Sequence, residues 1–271
     1  MWKLWVRYIT GGAAYRPSFA AMFLDPLFVQ CEVVPADLPV GGYAGYNPFV
    51  LDPVAPPATP PPAPTTGFGN APAIVPANAP DLPWIPSIQF RAGVRNLMPE
   101  AAPVFSVLVL NDQTDWFPEA RAAVEKAVAA RKGFVVFHHA LGDNQPWPRW
   151  YRELLGGHMA LTAHDGLRKT TVTPGITLDV KPVGPHPIVQ GIGPLRLVRE
   201  TAYKGMWQAP GITPLLETAS PGSDKVVAWV GPDPNVRVVC IQPGAASETH
   251  RNPAFRKLVR NAILWAGGRL D

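Results

Sequence analysis

The chain has 271 residues, of which 47% are hydrophobic and 16% are charged. A chain of this length and composition can bury a large core, as one large α/β domain or as two smaller ones. The net charge is +4, but the basic residues are scattered, and the densest group lies on a predicted C-terminal helix, where a solvated face is the simpler interpretation. The composition therefore does not favour a nucleic-acid partner.

The cysteines and the apolar runs favour a cytoplasmic protein without a membrane partner. Cys31 and Cys240 each lie in an apolar run without a CxxC partner, which predicts buried free thiols and a reducing compartment. The first ten residues contain Arg7 and no small-residue cleavage site, so we expect a strand there rather than a signal peptide. No run approaches the roughly 18 apolar residues that a membrane span needs.

The N-terminal part of the chain predicts the opening of a βαβ unit. Residues 4–10 alternate in polarity and predict a first strand, and residues 29–34 predict a second one. Residues 17–24 lie between them and predict a short helix, with Pro17 in its first turn. A strand, helix and strand in this order are typical of an α/β fold.

A proline-rich tract interrupts this pattern. Residues 35–103 contain 17 of the 34 prolines, and proline is incompatible with helix interiors and central strands. We therefore predict that residues 36–103 form an irregular insertion within a single domain that spans residues 1–271. A flexible linker is one interpretation. The low charge also allows an extended segment anchored on the domain or on a second subunit of a homo-oligomer by its aromatic residues, which are Tyr43, Tyr46, Phe49, Phe68, Trp84 and Phe90.

The central feature of the sequence is the stretch at residues 133–157, which reads GFVVFHHALGDNQPWPRWYRELLGG. Residues 104–110 and 134–137 are continuous apolar runs joined through a helix, so we expect two adjacent central parallel strands. A sharp turn and a helix over residues 147–155 should follow the second strand. Ligands of open α/β sheets bind outside the carboxyl ends of such strands, which is where His138 and His139 lie.

The two histidines are the best functional candidates. In a strand, successive side chains point to opposite faces, so both imidazoles can face one site only if the turn begins at this point. We expect His139 to face the cleft and His138 to be held by a backbone carbonyl or a carboxylate. A satisfied structural pair is the alternative. His158 and His164 are six residues apart across a glycine-rich turn and are interpreted as surface-loop histidines.

The second half of the chain predicts a strand-rich region that ends in a helix. Asn252 and Pro253 are typical of the cap and first position of that helix. The predicted strands are apolar or alternating runs between Gly and Pro breaks, at residues 170–180, 195–201, 213–218, 225–230 and 236–242.

Several of these motifs resemble one family. The stretch at residues 133–157 is similar to the trehalose-utilisation (ThuA-like) family, whose strand ends in the same His-His-Ala. Further similar motifs follow in the family's order: HPIVQGI from His186, RETAYKGMW from Arg199, VVAWVGP from Val226, RVVCIQPG from Arg237 and NPAFRKLVRNAILWAGGRL from Asn252. The resemblance implies a three-layer αβα fold of the flavodoxin-like, class I glutamine-amidotransferase-like type, and a function in carbohydrate metabolism.

The chain also departs from the patterns of these relatives. Amidotransferases of this fold carry a nucleophilic cysteine at the strand-to-helix elbow, where this chain has His139-Ala140, so glutamine hydrolysis by that thiolate is excluded. Family members usually have Asp-Glu before the conserved Tyr and Gly-His after the last strand. This chain has Arg199-Glu200 and Gly244-Ala245 instead, and His250 could partly replace the missing histidine.

These observations predict an enzyme that acts on a sugar or keto-sugar by histidine and glutamate acid–base chemistry. Its partner is then a small carbohydrate, and a divalent metal is a possible cofactor. The rival interpretations are a non-catalytic carbohydrate-binding or assembly module and a metal-dependent hydrolase. The candidate catalytic residues are His139, Glu200 and His250, and the candidate substrate-binding residues are His138, Tyr203, Trp207 and Trp147.

Overall fold

The computed structural model describes residues 4–10, 31–35, 106–111, 116, 118–142 and 144–271, and of the first two segments it describes the backbone only. The predicted insertion at residues 36–103 and the predicted helix at residues 17–24 lie outside the described residues. The strands are β1 (Leu4–Thr10), β2 (Cys31–Pro35), β3 (Val107–Asn111), β4 (Gly133–Phe137), β5 (Gly157–His158), β6 (Thr171–Pro182), β7 (Leu195–Lys204), β8 (Trp207–Gln208), β9 (Thr213–Thr218), β10 (Val226–Val230) and β11 (Val238–Ile241).

The helices lie between and after these strands. The α-helices are α1 (Pro118–Ala129), α2 (Ser247–Arg251) and α3 (Pro253–Ala266), the 3₁₀ helices are His138–Gly142 and Pro187–Val189, and Trp150–Leu155 is a π-helix.

Nine strands form one mixed sheet in the order β2-β1-β3-β4-β11-β10-β9-β6-β7. The first five are parallel neighbours, whereas β10, β9, β6 and β7 follow in antiparallel pairings. The parallel part has the flavodoxin-like order, so the predicted α/β fold is confirmed. β3 and β4 are adjacent, with Val107 opposite Gly133 and Leu110 opposite Val136.

Helices cover both faces of the central parallel strands β3, β4 and β11, which explains why these strands are apolar apart from Asn111. Alternate residues of β4 enter different cores: Val135 and Phe137 pack with α3, and Phe134 and Val136 pack with α1 and the π-helix. All five residues of β4 are buried, as expected for a strand covered on both sides. The predicted three-layer αβα arrangement is therefore confirmed.

The last helix shows how closely a helix layer approaches the sheet. Asn252 caps α3 as predicted, because its side-chain oxygen accepts hydrogen bonds from Ala254 N (2.9 Å) and Phe255 N (3.2 Å). At the other end of α3, a Cβ atom added to Gly133 would lie 2.3 Å from the Ala266 carbonyl oxygen. Glycine is therefore required at the start of β4 if α3 is to pack there.

The predicted helix at residues 147–155 differs in type from the helix that is present. The chain forms a short helical turn at residues 148–149 and then the wider π-helix Trp150–Leu155. It ends at Gly156, which has a left-handed φ of 64°. The apolar spacing predicted the helix, but π-helical turns depend on packing that such spacing does not encode. Among the described residues, no helix is long and apolar enough to cross a membrane.

Candidate functional site at the carboxyl end of the central strands

The site begins at the sharp turn that follows β4. His138 has a φ of 44°, a left-handed conformation that is strained by about 1–2 kcal/mol for a residue with a Cβ atom. It starts the 3₁₀ turn His138–Gly142 directly after the strand, so the turn begins at the histidine pair. The strained residue of a strand-to-helix elbow is therefore His138, one position before the His139-Ala140 pair that the amidotransferase resemblance indicated.

His138 is held on both sides of its ring. Its Nδ1 lies 2.8 Å from the Gln242 carbonyl oxygen, and its Nε2 lies 3.0 Å from the Tyr203 hydroxyl. The ring is buried and stacks on Tyr203, with 4.9 Å between the ring centroids. The interpretation that a backbone carbonyl holds His138 is thus confirmed.

His139 lies next to this pair and is partly exposed. Its Nδ1 is 3.4 Å from the Tyr203 hydroxyl, and its ring meets the His138 ring edge to face at 4.2 Å. His138, His139 and Tyr203 therefore form one connected group, here called the histidine–tyrosine centre. His139 is the partly exposed member of this centre, whereas His138 and Tyr203 are buried.

The hydrogen bonds of this centre define where its protons lie. The Gln242 carbonyl can only accept, so Nδ1 of His138 carries a hydrogen and donates it. In a neutral His138 ring, Nε2 is then an acceptor, and the Tyr203 hydroxyl donates to it. The Tyr203 oxygen can in turn accept a hydrogen from Nδ1 of His139. This order favours the His139 tautomer that has its lone pair on Nε2.

Glu200 holds the loop after β11, residues 242–246, which we call the β11 loop. Its buried carboxylate accepts backbone hydrogen bonds from Thr201, Gly244, Ala245 and Ala246 at 3.2–3.3 Å. Within the described part of the chain, it makes no hydrogen bond to a histidine of the centre. A catalytic role for Glu200 stays a prediction, and the observed contacts are those of a loop-holding residue.

His250 also holds the β11 loop. It lies in α2 and is fully buried, and its Nε2 lies 2.8 Å from the Gly244 carbonyl oxygen. The three predicted catalytic residues thus belong to one region at the carboxyl end of the sheet. Glu200 and His250 contact the β11 loop, whereas His139 contacts Tyr203. Gln242 connects the two groups, because its carbonyl holds His138 and its side-chain nitrogen donates to Thr201 O at 2.8 Å.

The two predicted substrate-binding tryptophans lie in separate aromatic clusters. Trp147 is half-buried and stacks on Trp150 with 5.6 Å between ring centroids, and Trp116 packs against the same ring. Trp207 lies in the other cluster, where the Arg152 guanidinium is 5.2 Å from its ring centre. Substrate binding by either tryptophan stays a prediction.

The interpretation of His158 as a surface residue is wrong. It lies in β5, is fully buried, and stacks on Tyr151 at 4.2 Å. Burial lowers the pKa of His158 to about 4, with a further lowering by His164 and Arg152 and a smaller opposing effect of the Leu141 carbonyl. The glycine-rich turn suggested exposure, but the π-helix packs Tyr151 over this position. His164 is partly exposed and bonds to the Thr162 carbonyl at 2.8 Å.

Sequence reasoning missed Gln242 and Asn144. Gln242 is the first polar residue after a buried parallel strand, so the rule that singled out His138 also applied to it. Asn144 is fully buried and accepts a hydrogen bond from Trp116 N at 2.9 Å, a contact between segments that no local pattern encodes.

Within the described residues, no group of three or more His, Cys, Asp or Glu residues could hold a metal ion.

The parallel half-sheet and its elbow define a flavodoxin-like α/β protein whose candidate site contains two adjacent histidines. The trehalose-utilisation (ThuA) family matches residues 100–266, so the chain belongs to this family. A ThuA-like protein from Parabacteroides merdae superposes with a TM-score of 0.65 at 14% identity, over 99% of this chain and 91% of that chain. A ThuA-like protein from Bacteroides uniformis gives 0.59 at 14% identity, over 97% and 91%. At this identity the two structures support the fold alone. No curated protein sequence matches the chain.

Proposed function

We propose that this protein is an enzyme of carbohydrate metabolism in which His139 transfers a proton to or from a sugar or keto-sugar. The observation that carries the proposal is the hydrogen-bond chain from the Gln242 carbonyl through His138 and Tyr203 to His139. A positioned imidazole with a defined tautomer is suited to acid–base catalysis. The chain belongs to the trehalose-utilisation family, and this membership supports a sugar as the substrate class.

In this proposal, His139 acts as the base through Nε2 and then as the acid from the same nitrogen. When the ring accepts a proton, the positive charge also develops at Nδ1, 3.4 Å from the Tyr203 oxygen. The Tyr203 oxygen stabilises that charge as an acceptor, because its own hydrogen points to His138. His138 is a positioning residue, since both of its ring nitrogens already have partners.

Glu200 and His250 act in this proposal by holding the β11 loop in place. Their bonds to residues 244–246 fix the segment that also carries Gln242, and through it the position of His138. Glutamine hydrolysis is not part of the proposal, since the elbow residue is His138 and burial raises the pKa of the Cys240 thiol well above its usual value.

The aromatic cluster around Trp147 supports a sugar as the ligand. Trp150, which stacks on Trp147, and the neighbouring Asn144 have buried donors, Nε1 and Nδ2, without an acceptor in the described part of the chain. Hydroxyl and carbonyl oxygens of a sugar are acceptors, and the apolar face of a sugar ring packs on indole.

A non-catalytic carbohydrate-binding module is the second candidate. It is favoured by the contacts of Glu200 and His250, which bond to backbone groups of the β11 loop. A metal-dependent hydrolase has less support, because neither ring nitrogen of His138 is available to a metal while its bonds to Gln242 and Tyr203 persist.

The test is a thermal-shift screen with trehalose, glucose and 3-keto sugars, followed by product analysis for every sugar that raises the melting temperature. We expect at least one sugar to be bound and turned over. His139→Gln should lower kcat by ~10²–10⁴-fold. Tyr203→Phe should lower it less and shift its pH dependence. His186→Asn is the matched control, because His186 caps a distant 3₁₀ helix by accepting a hydrogen bond from Ile188 N.

Two results would contradict the proposal. Wild-type rates in both His139→Gln and Tyr203→Phe would remove His139 from the chemistry. Tight sugar binding without any product would favour the binding module.

A further inference from the structure

Residues of the edge strand β7 contact residues at the carboxyl ends of central strands at the candidate site. β7 and β11 are separated by β10, β9 and β6 in the sheet order, yet Thr201 and Tyr203 of β7 bond to residues at the carboxyl ends of β11 and β4. The position of the Tyr203 hydroxyl therefore depends on contacts that hold β7 against the β11 loop.

Gln242 makes the contact that is nearest to the histidine–tyrosine centre. Its carbonyl oxygen accepts from His138 Nδ1 at 2.8 Å, and its Nε2 donates to the Thr201 carbonyl at 2.8 Å. Thr201 lies two residues before Tyr203 on the same strand. One residue thus fixes both partners of the bond between His138 and Tyr203.

The side chain of Gln242 is not explained by stability alone. It is 1% exposed, and its Oε1 is buried without a hydrogen-bond partner in the described part of the chain. A buried unpaired acceptor is unfavourable by about 1–3 kcal/mol. An apolar side chain of the same length would avoid this cost but would leave the Thr201 carbonyl without its donor. The two effects oppose each other, so the gain in stability from glutamine at this position is small.

We propose that Gln242 is a positioning residue that sets the proton order of the histidine–tyrosine centre. Its Nε2–H bond to Thr201 keeps the Tyr203 hydroxyl within reach of His138 Nε2, and its carbonyl keeps the hydrogen of His138 on Nδ1. Together these bonds maintain the His139 tautomer that has its lone pair on Nε2. The inference deepens the proposed function and rests on it for its catalytic consequence, but not for its effect on the tautomer.

The test compares Gln242→Met with Gln208→Met in the full-length protein. Methionine has a similar length but lacks both the Nε2 donor and the Oε1 acceptor. Gln208 is the matched control, because its Nε2 also donates to a backbone oxygen, that of Val226 at 3.0 Å, away from the centre. The readouts are the melting temperature, the imidazole ¹⁵N chemical shifts of His139, and kcat and KM on a sugar that the wild type turns over.

We expect Gln242→Met to keep a melting temperature near that of the wild type, because it removes an unpaired buried acceptor and a hydrogen bond to the Thr201 carbonyl together. The ¹⁵N shifts of His139 should move from the Nδ1–H tautomer towards a mixture of both tautomers. On a substrate, kcat should fall roughly tenfold with KM nearly unchanged, since the lost interaction acts on proton transfer. Gln208→Met should leave the His139 shifts and kcat unchanged.

The outcomes separate the inference from the proposed function. An unchanged His139 tautomer in folded Gln242→Met overturns the inference, whatever the wild type does with sugars. A changed tautomer supports the inference even if no sugar is turned over, and in that case the proposed function alone fails. If Gln242→Met does not fold, Gln242→Leu replaces it. Leucine also lacks the donor and the acceptor, and it should shift the tautomer in the same direction.

Discussion

The histidine–tyrosine centre and the β11 loop are neighbours at the carboxyl end of the central strands. Both contain histidine, but the hydrogen bonds of these residues differ. In the centre, His138 and His139 bond to another side chain, and the order of donors and acceptors assigns each proton. In the β11 loop, Glu200 and His250 bond to backbone groups, and their contacts define the path of the chain. Residue type selects both groups as candidates, whereas their hydrogen-bond partners differ: side chains link the members of the centre, and backbone groups are held in the β11 loop.

Replacing Glu200 provides the largest expected effect and the strongest test of that difference. Glu200→Ala leaves four backbone N–H groups without their acceptor, two of them in buried bonds. We expect a loss of about 2–4 kcal/mol in the free energy of unfolding, measured by denaturant titration. Formate should restore part of the melting temperature by occupying the vacated backbone site.

The matched control for this variant is Glu217→Ala. Glu217 also lies on a strand but forms an ion pair with the exposed Lys225 at 3.3 Å, so the loss should stay below about 1 kcal/mol. If Glu200→Ala keeps wild-type stability while turnover disappears, Glu200 belongs to the chemistry and the comparison fails.

Acidic pH should produce an intermediate effect through His158, which lies outside both regions. The pKa of His158 in the folded protein is about 4, below the ordinary value of 6.5, because burial disfavours the charged ring. The unfolded chain therefore binds the extra proton first, and stability should fall as the pH decreases from about 6.5 to about 4, by up to roughly 3 kcal/mol. Burial also lowers the pKa of His186, which acts in the same direction.

Urea titrations across this pH range measure the effect, with His158→Leu as the comparison variant. Neither ring nitrogen of His158 has a well-formed hydrogen bond in the described part of the chain, so leucine loses at most a weak contact with the Leu141 carbonyl. We expect a flatter pH dependence in the variant. An equally steep dependence in both proteins, or a His158 pKa near 6.5 by NMR, would show that another group titrates.

The smallest expected effect concerns Arg199, the neighbour of Glu200. Arg199 has a φ of 56°, and its exposed side chain forms an ion pair with Glu248 in α2. Arg199→Gly relieves a backbone strain of about 1 kcal/mol and removes an exposed ion pair worth about 0–1 kcal/mol. The two effects should nearly cancel in the free energy of unfolding. A loss greater than about 2 kcal/mol would mean that Arg199, and not Glu200 alone, holds the β11 loop.

The sequence predicted the architecture and the position of His138 at the end of a central strand for the same reason. Continuous apolar runs mark strands that are covered on both faces, and the polar residue that ends such a run lies at the carboxyl edge, as His138 does. Three of the four partners of Glu200 could not be predicted, because these backbone groups are 44 to 46 residues away along the chain. The burial of His158 was missed for a similar reason, since it depends on the packing of the π-helix.

The contact between His138 and Gln242 has a consequence for how this site can change through evolution. The acceptor is a main-chain carbonyl, which every amino acid supplies, so no substitution at position 242 deletes that atom. The Tyr203 hydroxyl has no such protection, because one base change converts a tyrosine codon to a phenylalanine codon. Random substitution would therefore remove the hydrogen bond at Tyr203 before the one at the Gln242 carbonyl. A Phe at position 203 in a related sequence would mark a lineage that lacks the hydrogen-bond order proposed for this centre.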